Sequence, residues 1–330
     1  MSETIEHQPH TQAWDNYWQG SRQAGSTGTG GAQDPVLADF WTAFFTTELS
    51  ALDGARLLDI GCGSGAVTEF ALKVSQQQLV HPKITCLDSS ASAIEHIKQT
   101  FPGVATIQAS AADTPLPAGF FDYIVSQFGL EYAGPDALAE VARLLRHGGT
   151  IALVMHMRDG AIDRECARDQ QAITDVLDSG LFPALTHLFE ENMALRKGQG
   201  SRVGFELADK ALNPCVKAVE AVITGQGKDV VGGLVYRIYA DTAHMYQKMN
   251  AFDPDEVIAW ANKVEGELSA FASRLASMQL AALDEAAMDH CIATLAEHGV
   301  EITSQGIMNM GEDDEPAAWV LQGHRKVAAE

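Results

Sequence analysis

The chain has 330 residues, of which 46% are hydrophobic and 20% charged, a composition typical of a globular protein that buries a large core. The 22 basic and 44 acidic residues give a net charge of −22, which argues against a broad basic face for nucleic acid or an anionic membrane. Five scattered cysteines, no basic apolar leader and no apolar run near the roughly 20 residues that span a bilayer predict a cytoplasmic protein with reduced thiols.

The first 35 residues contain an aromatic cluster at 14–18 and a stretch rich in glycine, serine and threonine at 20–31. That composition excludes regular structure up to Pro35, where apolar residues at helical spacing predict a helix. Two interpretations of the aromatic residues stay open. Either they pack onto the core, or segment 1–35 is a flexible lid that closes over a bound ligand and excludes water.

A glycine-rich turn follows the first predicted strand, 57–60. Residues 59–65 have the sequence Asp-Ile-Gly-Cys-Gly-Ser-Gly, and a helix-like run begins at Ala66. Glycines in such a turn bring the backbone against a ligand with no Cβ in the way. Because Asp59 precedes the glycines, the turn suits an ammonium or sulfonium cation better than a phosphate, which favours a helix N-terminus without a nearby acid.

The spacing Asp-x-Gly-x-Gly-x-Gly resembles the first motif of class I S-adenosylmethionine (SAM) dependent methyltransferases. It fits the dinucleotide-binding pattern less well, because the third glycine comes one residue early. The resemblance covers residues 54–156 well and 281–330 loosely, and it implies SAM as cofactor and S-adenosyl-L-homocysteine as product. Within the motif it implies cofactor contacts from these residues: Asp59, Gly61, Cys62, Gly63 and Gly65.

Strands and helices alternate beyond this turn, which predicts parallel βαβ units and a doubly wound, mostly parallel sheet. The predicted elements are strands at 84–87, 104–108, 123–126 and 150–155 and helices at 91–100 and 136–145. Ligands of such sheets bind at the carboxyl ends of the strands. Asp88 ends the second strand, where we expect its carboxylate to accept both ribose hydroxyls, with Ser89 beside it. A turn-capping role for Asp88 is the alternative.

Further cofactor contacts are implied by the resemblance alone. Residues 110–123 resemble the family's adenine loop, which commonly carries an acid where this chain has Ser110. Ser110, the backbone N–H of Ala111 and the carboxylate of Asp113 are therefore three alternative contacts for adenine. An N-terminal segment often covers SAM in the family, which adds a last set: Tyr17, Trp18 and Arg22.

The loop after the fourth strand is expected beneath the sulfonium, where the substrate enters. We predict that Gln127 and Phe128 line the cofactor and that Glu131 and Tyr132 face the substrate. His156, just past the fifth strand, points into the same region and is the candidate proton acceptor. The alternative is an ordinary strand-to-helix loop beside a histidine of the core.

The pattern changes after His156. Residues 157–280 have apolar residues at helical spacing almost throughout and predict a helical insertion. A helix at 281–298 and strands at 300–310 and 318–323 follow, and in this family such a tail completes a seven-stranded sheet. We therefore expect a lid at 1–35, a SAM-binding core at 36–156, a helical cap at 157–280 that shapes the substrate pocket, and sheet completion by 281–330. Homodimerisation is the alternative role for the insertion.

Together these features predict a SAM-dependent methyltransferase that acts on a small-molecule metabolite by in-line displacement. Displacement from a sulfonium needs proximity, alignment and desolvation more than acid–base chemistry. No His, Cys and Asp cluster has metal-ligand spacing, so we expect no metal, and the acidic charge predicts no nucleic-acid or membrane partner. Two alternatives remain: a methyltransferase of protein or RNA, and a nucleotide-binding or non-catalytic SAM-binding protein of the same fold.

Overall fold

A seven-stranded sheet organises the residues that the computed structural model describes, 34–48 and 53–327. The strands are β1 (Arg56–Ile60), β2 (Lys83–Asp88), β3 (Ala105–Gln108), β4 (Phe121–Gln127), β5 (Leu145–His156), β6 (Val300–Met310) and β7 (Glu315–Arg325). Their order across the sheet is β3-β2-β1-β4-β5-β7-β6. Strands β1 to β5 run parallel, and β7 lies antiparallel between β5 and β6. The predicted doubly wound, mostly parallel sheet is confirmed.

Helices connect these strands. They are α1 (Pro35–Glu48), α2 (Ala66–Gln78), α3 (Ala91–Thr100), α4 (Asp136–Leu144), α5 (Ala161–Asp178), α6 (Leu181–Arg196), α7 (Arg202–Gln226), α8 (Leu234–Gln247), α9 (Pro254–Ala281) and α10 (Glu285–Glu297). Within the described ranges, none of them has the length and apolar character that crossing a membrane requires.

Local chemistry sets where several helices begin and end. Helix α3 begins at Ser90, whose hydroxyl accepts the N–H of Ala93, and α10 begins at Asp284 in the same way. Helix α4 ends one residue earlier than the sequence predicts, because Leu145 is already extended and pairs with Phe121 of β4. Strand β5 is therefore longer than the predicted 150–155.

The described residues divide into two compact units. Strands β1 to β7 belong to a unit made of Met1–Glu165 with Ser277–Glu330, and Cys166–Ala276 form the second. The core of the first unit includes residues from β1, β4 and β5, among them Leu58, Ile124 and Leu153, all fully buried. The second unit is helical and buries apolar side chains of its own, including Phe182 and Phe189.

Two glycines meet where β1 and β4 end. Gly61 has a φ of +65°, and a Cβ built on it would lie 2.8 Å from the Cα of Gly129. A Cβ on Gly129 would in turn lie 2.8 Å from the carbonyl oxygen of Gly61. Backbone therefore packs directly against backbone here, and only glycine fits at either position.

We expect Gly61→Ala to lower the free energy of unfolding by at least about 2 kcal/mol, because left-handed strain adds to a clash that backbone atoms cannot relieve. Gly54→Ala is the matched control, since Gly54 has a φ of +80° and no atom within 4 Å of its added Cβ. The control should lose only about 1 kcal/mol. Urea unfolding measures both, and equal losses would contradict the importance of the glycine contact.

Candidate functional site

The carboxyl ends of β1, β2 and β4 converge on one edge of the sheet. Strand β1 pairs with β2 on one side and with β4 on the other. The strand order therefore extends from β1 to β3 in one direction and from β4 onward in the opposite direction, and it reverses between β1 and β4. The N–H groups of Gly61 and Cys62 both donate to the carbonyl of Leu87, at 2.8 and 3.1 Å, and fix the glycine turn to the end of β2. A crevice at such a reversal is where open α/β sheets bind ligands.

Asp59 lies inside this edge, with only 1% of its surface exposed. Its Oδ2 accepts the backbone N–H of Thr68 at 3.1 Å and the hydroxyl of Thr68 at 2.7 Å. Burial is the main cause that raises the pKa of Asp59 to about 7, against the lowering effect of these bonds. The carboxylate thus holds the first turn of α2 against β1, and its role toward a cationic ligand stays a prediction.

A hydrogen-bonded chain continues from Thr68 under the glycine turn. Because the Thr68 hydroxyl donates to Asp59, it accepts the thiol proton of Cys86, with the two atoms 3.1 Å apart. Hydrogen bonding to Cys86 and burial raise the pKa of the Cys62 thiol. Both thiols are buried, and neither forms a disulfide bond.

Asp88 stands where β2 meets the glycine turn. Its Oδ2 accepts the N–H of Gly63 at 2.9 Å and its Oδ1 accepts the N–H of Ser90 at 2.9 Å. The side chain is half-buried, so the carboxylate both caps the turn and borders the crevice. The two predicted interpretations, turn cap and ligand contact, are therefore compatible in one geometry; Ser89 lies beside it and is exposed.

The predicted adenine loop follows β3 at the same edge. The Ser110 hydroxyl accepts the N–H of Ala112 at 3.2 Å, and the N–H of Asp113 bonds the Ser110 carbonyl at 3.3 Å. Ser110 and Asp113 are exposed, whereas Ala111 is buried. All three alternatives remain predictions, and the tight turn brings Ser110 and Asp113 together.

A partly buried ion pair that the sequence analysis missed fixes this loop. Glu140 of α4 accepts the backbone N–H of Thr114 at 3.1 Å as well as its hydroxyl, and Arg143 donates to the Leu116 carbonyl at 2.8 Å. Hydrogen bonding to Arg143 lowers the pKa of Glu140. The available signal was the position of Glu140 among the apolar residues of α4, where an acid requires a partner.

Gln127, at the end of β4, has a partner that the sequence did not indicate. Its Oε1 accepts the indole N–H of Trp41 at 2.6 Å, and Trp41 is fully buried in α1. Trp41 stacks on Phe45 with ring centroids 5.8 Å apart. Helix α1 thereby sets the orientation of a side chain predicted to line the cofactor.

The three candidate catalytic residues come together beside Phe128. Glu131 Oε1 accepts the backbone N–H of His156 at 2.9 Å and lies 2.7 Å from its Nδ1. The ring of Phe128 lies 4.3 Å from the His156 ring, and that of Tyr132 lies 5.9 Å from it at 88°. The Glu131 side chain is fully enclosed, so it reaches a substrate only through His156.

Tyr17, Trp18 and Arg22 lie outside the described residues, as does nearly all of the predicted lid, 1–35. The remaining predicted cofactor residues all lie at the carboxyl ends of β1, β2 and β4 or in the loops that follow β1, β2, β3 and β4, at one edge of the sheet. The sequence analysis therefore predicted a set of residues that the fold brings to one place.

Comparison with known proteins gives a family for this edge. Residues 58–153 match the methyltransferase domain family. The chain is 27% identical over 145 residues to the malonyl-[acyl-carrier protein] O-methyltransferase of Enterobacter lignolyticus, covering 41% of this chain and 55% of the relative. It is 37% identical over 108 residues to the aklanonic acid methyltransferase DauC of Streptomyces sp. strain C5, covering 30% of this chain and 47% of the relative.

One solved structure, from work on the conversion of a disulfide bond into a thioacetal group during echinomycin biosynthesis, is similar along most of the chain. The likeness covers 97% of this chain and 94% of that one, at 15% identity and a TM-score of 0.48. The chain spans about half the length of the curated relatives that it matches.

The buried Asp59 predicts a pH-dependent stability. The carboxyl ionises near 3.8 in the unfolded chain and near 7 in the folded one, so the folded chain holds an additional proton between these values. This contribution to stability is present below about pH 4 and is lost as the pH rises to 7. When the pH rises from 5 to 7, the unfolding free energy of the wild type should fall by about 2 kcal/mol more than that of Asp59→Asn.

Asp122→Asn is the control for this measurement by urea unfolding. Burial raises the pKa of Asp122, but hydrogen bonds from Arg56 and Arg146 outweigh it and leave the value lowered. Its titration therefore lies below the tested range, and the variant should differ from wild type by the same amount at both pH values. Parallel pH profiles for wild type and Asp59→Asn would contradict the assignment.

The strand order, the glycine turn with its preceding acid, and the matched residues 58–153 agree with one another. The sheet places the motif at residues 59–65 at the crevice where open α/β sheets bind ligands. Residues 58–153 therefore carry a methyltransferase domain of the class I SAM-dependent type.

Proposed function

We propose that this protein transfers a methyl group from SAM to a small-molecule metabolite by in-line displacement, without a metal ion. The observation that carries the proposal is the position of Asp88 and the Glu131–His156 pair on one edge of the sheet, on either side of the glycine turn. A cofactor site and a group able to assist its reaction are therefore both available in one unit of the chain.

The residues of this edge fit the proposed cofactor. A Cβ on Gly61 or Gly129 would clash with the backbone of the other glycine, so only glycine at both positions lets the turn lie against the loop after β4 at this edge. The carboxylate of Asp88 would hold the ribose hydroxyls, while Ser110 or Asp113 would border adenine. When bound, SAM supplies a methyl group on a positively charged sulfur, a donor that needs alignment more than activation.

The chain's own contribution is to orient the reactants and to exclude water. Gln127 is fixed by Trp41, and Phe128 is fixed by the bond from its N–H to the Val154 carbonyl at 2.8 Å. Rigid side chains beside a reacting centre reduce the entropy that alignment costs. An apolar ring at Phe128 also favours the loss of charge that follows when the sulfonium becomes a thioether.

A metabolite is the proposed acceptor for two reasons. The relatives include enzymes named for aklanonic acid and for ubiquinone biosynthesis, although the chain spans about half of their length. The net charge of −22 opposes binding to RNA. We propose that the 157–280 segment, which lies outside the matched residues, selects this substrate; homodimerisation is the alternative role.

The proposal is tested by incubating the protein with SAM that carries a labelled methyl group and with a fractionated cell extract. We expect label in the small-molecule fraction. Label in protein or RNA would overturn the metabolite assignment. Bound SAM without any transfer would favour a non-catalytic SAM-binding protein, and displacement of SAM by NAD would favour a nucleotide-binding protein of the same fold.

Asp88→Ala should weaken SAM binding by about 100-fold, because two hydrogen bonds from ribose to a charged group are lost. Isothermal titration calorimetry measures the affinity, and circular dichroism checks the fold. Asp88→Asn keeps one acceptor oxygen, and with it one of the two bonds that cap the turn, so it should lose less. Unchanged affinity in Asp88→Ala would contradict the ribose assignment.

A further inference from the structure

We propose that His156 takes the proton of a hydroxyl on the acceptor, which makes the substrate class an acidic hydroxyl compound, a phenol or an enol. This inference rests on the proposed methyl transfer. It assigns His156 as a catalytic residue and Glu131 as the residue that positions it.

The first observation is the way that Glu131 holds His156. One oxygen, Oε1, accepts both the backbone N–H of His156 and its ring Nδ1, at 2.9 and 2.7 Å. The His156 side chain is 5% exposed and that of Glu131 is 0% exposed. Two hydrogen bonds from one residue to the same carboxylate oxygen fix the ring about its χ angles, so the imidazole keeps one orientation at the end of β5.

The second observation concerns the proton on the ring. A carboxylate can only accept, so Nδ1 carries the hydrogen that faces Glu131 and Nε2 presents a lone pair. When Nε2 takes a proton, the imidazolium lies 2.7 Å from the carboxylate, which stabilises the charge. Among the described residues, no hydrogen bond reaches the second oxygen of Glu131, Oε2, although it is buried.

The surroundings of the pair are otherwise apolar. The groups able to titrate near it are the Tyr132 hydroxyl and the Cys291 thiol of α10, whose pKa is raised by burial and then by the charge of Glu131. The thiol is therefore uncharged near neutral pH. Among the described residues, His156 is the only ion-pair partner of Glu131.

The third observation is strain at the adjoining residue. Phe128 has a φ of +52°, in the left-handed region that a bulky side chain rarely adopts, and its ring lies 4.3 Å from the His156 ring at 32°. Such a conformation is strained for a bulky side chain, and strained residues of this kind cluster at functional sites. The strained Phe128 brings an aromatic face against the imidazole at the end of β4.

The proton balance selects the acceptor. An oxygen lone pair forms the new carbon–oxygen bond, the carbon–sulfur bond breaks with its electrons going to sulfur, and the hydroxyl proton moves to Nε2 and later to water. A thioether has no proton to lose, an amine reacts as its free base, and a thiol, with a pKa of about 8.5 in cysteine, is already partly ionised near neutral pH and depends less on a base. A phenol, with a pKa of about 10 in tyrosine, is within reach of a histidine, whereas an aliphatic alcohol is far less acidic.

The test uses SAM carrying a ¹³C-methyl group and a small-molecule extract of the native cells. The carbon chemical shift of the transferred methyl separates O-, N-, S- and C-methyl products. We expect an O-methyl signal on an aromatic or enolic carbon skeleton. An N-methyl or S-methyl product would overturn the inference while leaving the proposed methyl transfer intact.

Two variants test the roles. His156→Gln should slow formation of the O-methyl signal by about 100-fold or more. Glu131→Gln keeps an oxygen able to accept both bonds but removes the charge, and it should slow the reaction at least about 10-fold with little change in the KM for SAM. His290→Gln, an exposed histidine of α10, is the matched control and should react like the wild type.

Binding of S-adenosylhomocysteine to each variant separates a catalytic loss from misfolding, because the glycine turn and Asp88 lie on other loops than Glu131 and His156. Wild-type rates in His156→Gln would overturn the assignment of the proton acceptor. A loss of cofactor affinity that matches the loss of rate would make the pair structural and would also overturn it. If the wild type binds no SAM or transfers no methyl group, the proposed function fails first.

Discussion

The close contact of Gly61 with Gly129 is the constraint on which the candidate site depends. At this contact the backbone that follows β1 packs directly against the backbone that follows β4. The first of these two loops is the glycine turn, and the second contains Phe128 and Glu131. Any side chain at this contact would separate these loops. The proposed cofactor residues and the proposed catalytic pair are therefore positioned by the absence of two Cβ atoms.

Around this contact, carboxylates at the edge of the sheet already form hydrogen bonds with neighbouring protein groups. Asp59 holds α2, Asp88 holds the glycine turn, and Glu140 holds the loop after β3. Each carboxylate satisfies backbone N–H groups that would otherwise be orphaned at the ends of elements. A site built in this way is preorganised, so binding energy is not spent on ordering loops.

Local pattern predicted the sheet, since alternation of apolar strands with helices and the motif at 59–65 are both short-range signals. It also predicted Asp88 and His156, which end strands. It did not predict Trp41 as the partner of Gln127 or Glu140 as the partner of Thr114, because such pairs join residues far apart in sequence and leave no periodic trace. It placed Glu131 toward the substrate, whereas the pairing with His156 encloses its side chain.

The position of β7 between β5 and β6 constrains how the polypeptide acquires its structure during synthesis. Strand β5 is buried from Ile151 to His156, yet its second neighbour, β7, emerges from the ribosome only after the whole of Cys166–Ala276. Until then the nascent chain exposes an apolar edge at Ile151–Met155, a template for wrong pairing. Pairing of strands that are so far apart in sequence slows folding. Chaperones that shield strand edges would act on the nascent chain after β5 has emerged and before β7 has emerged.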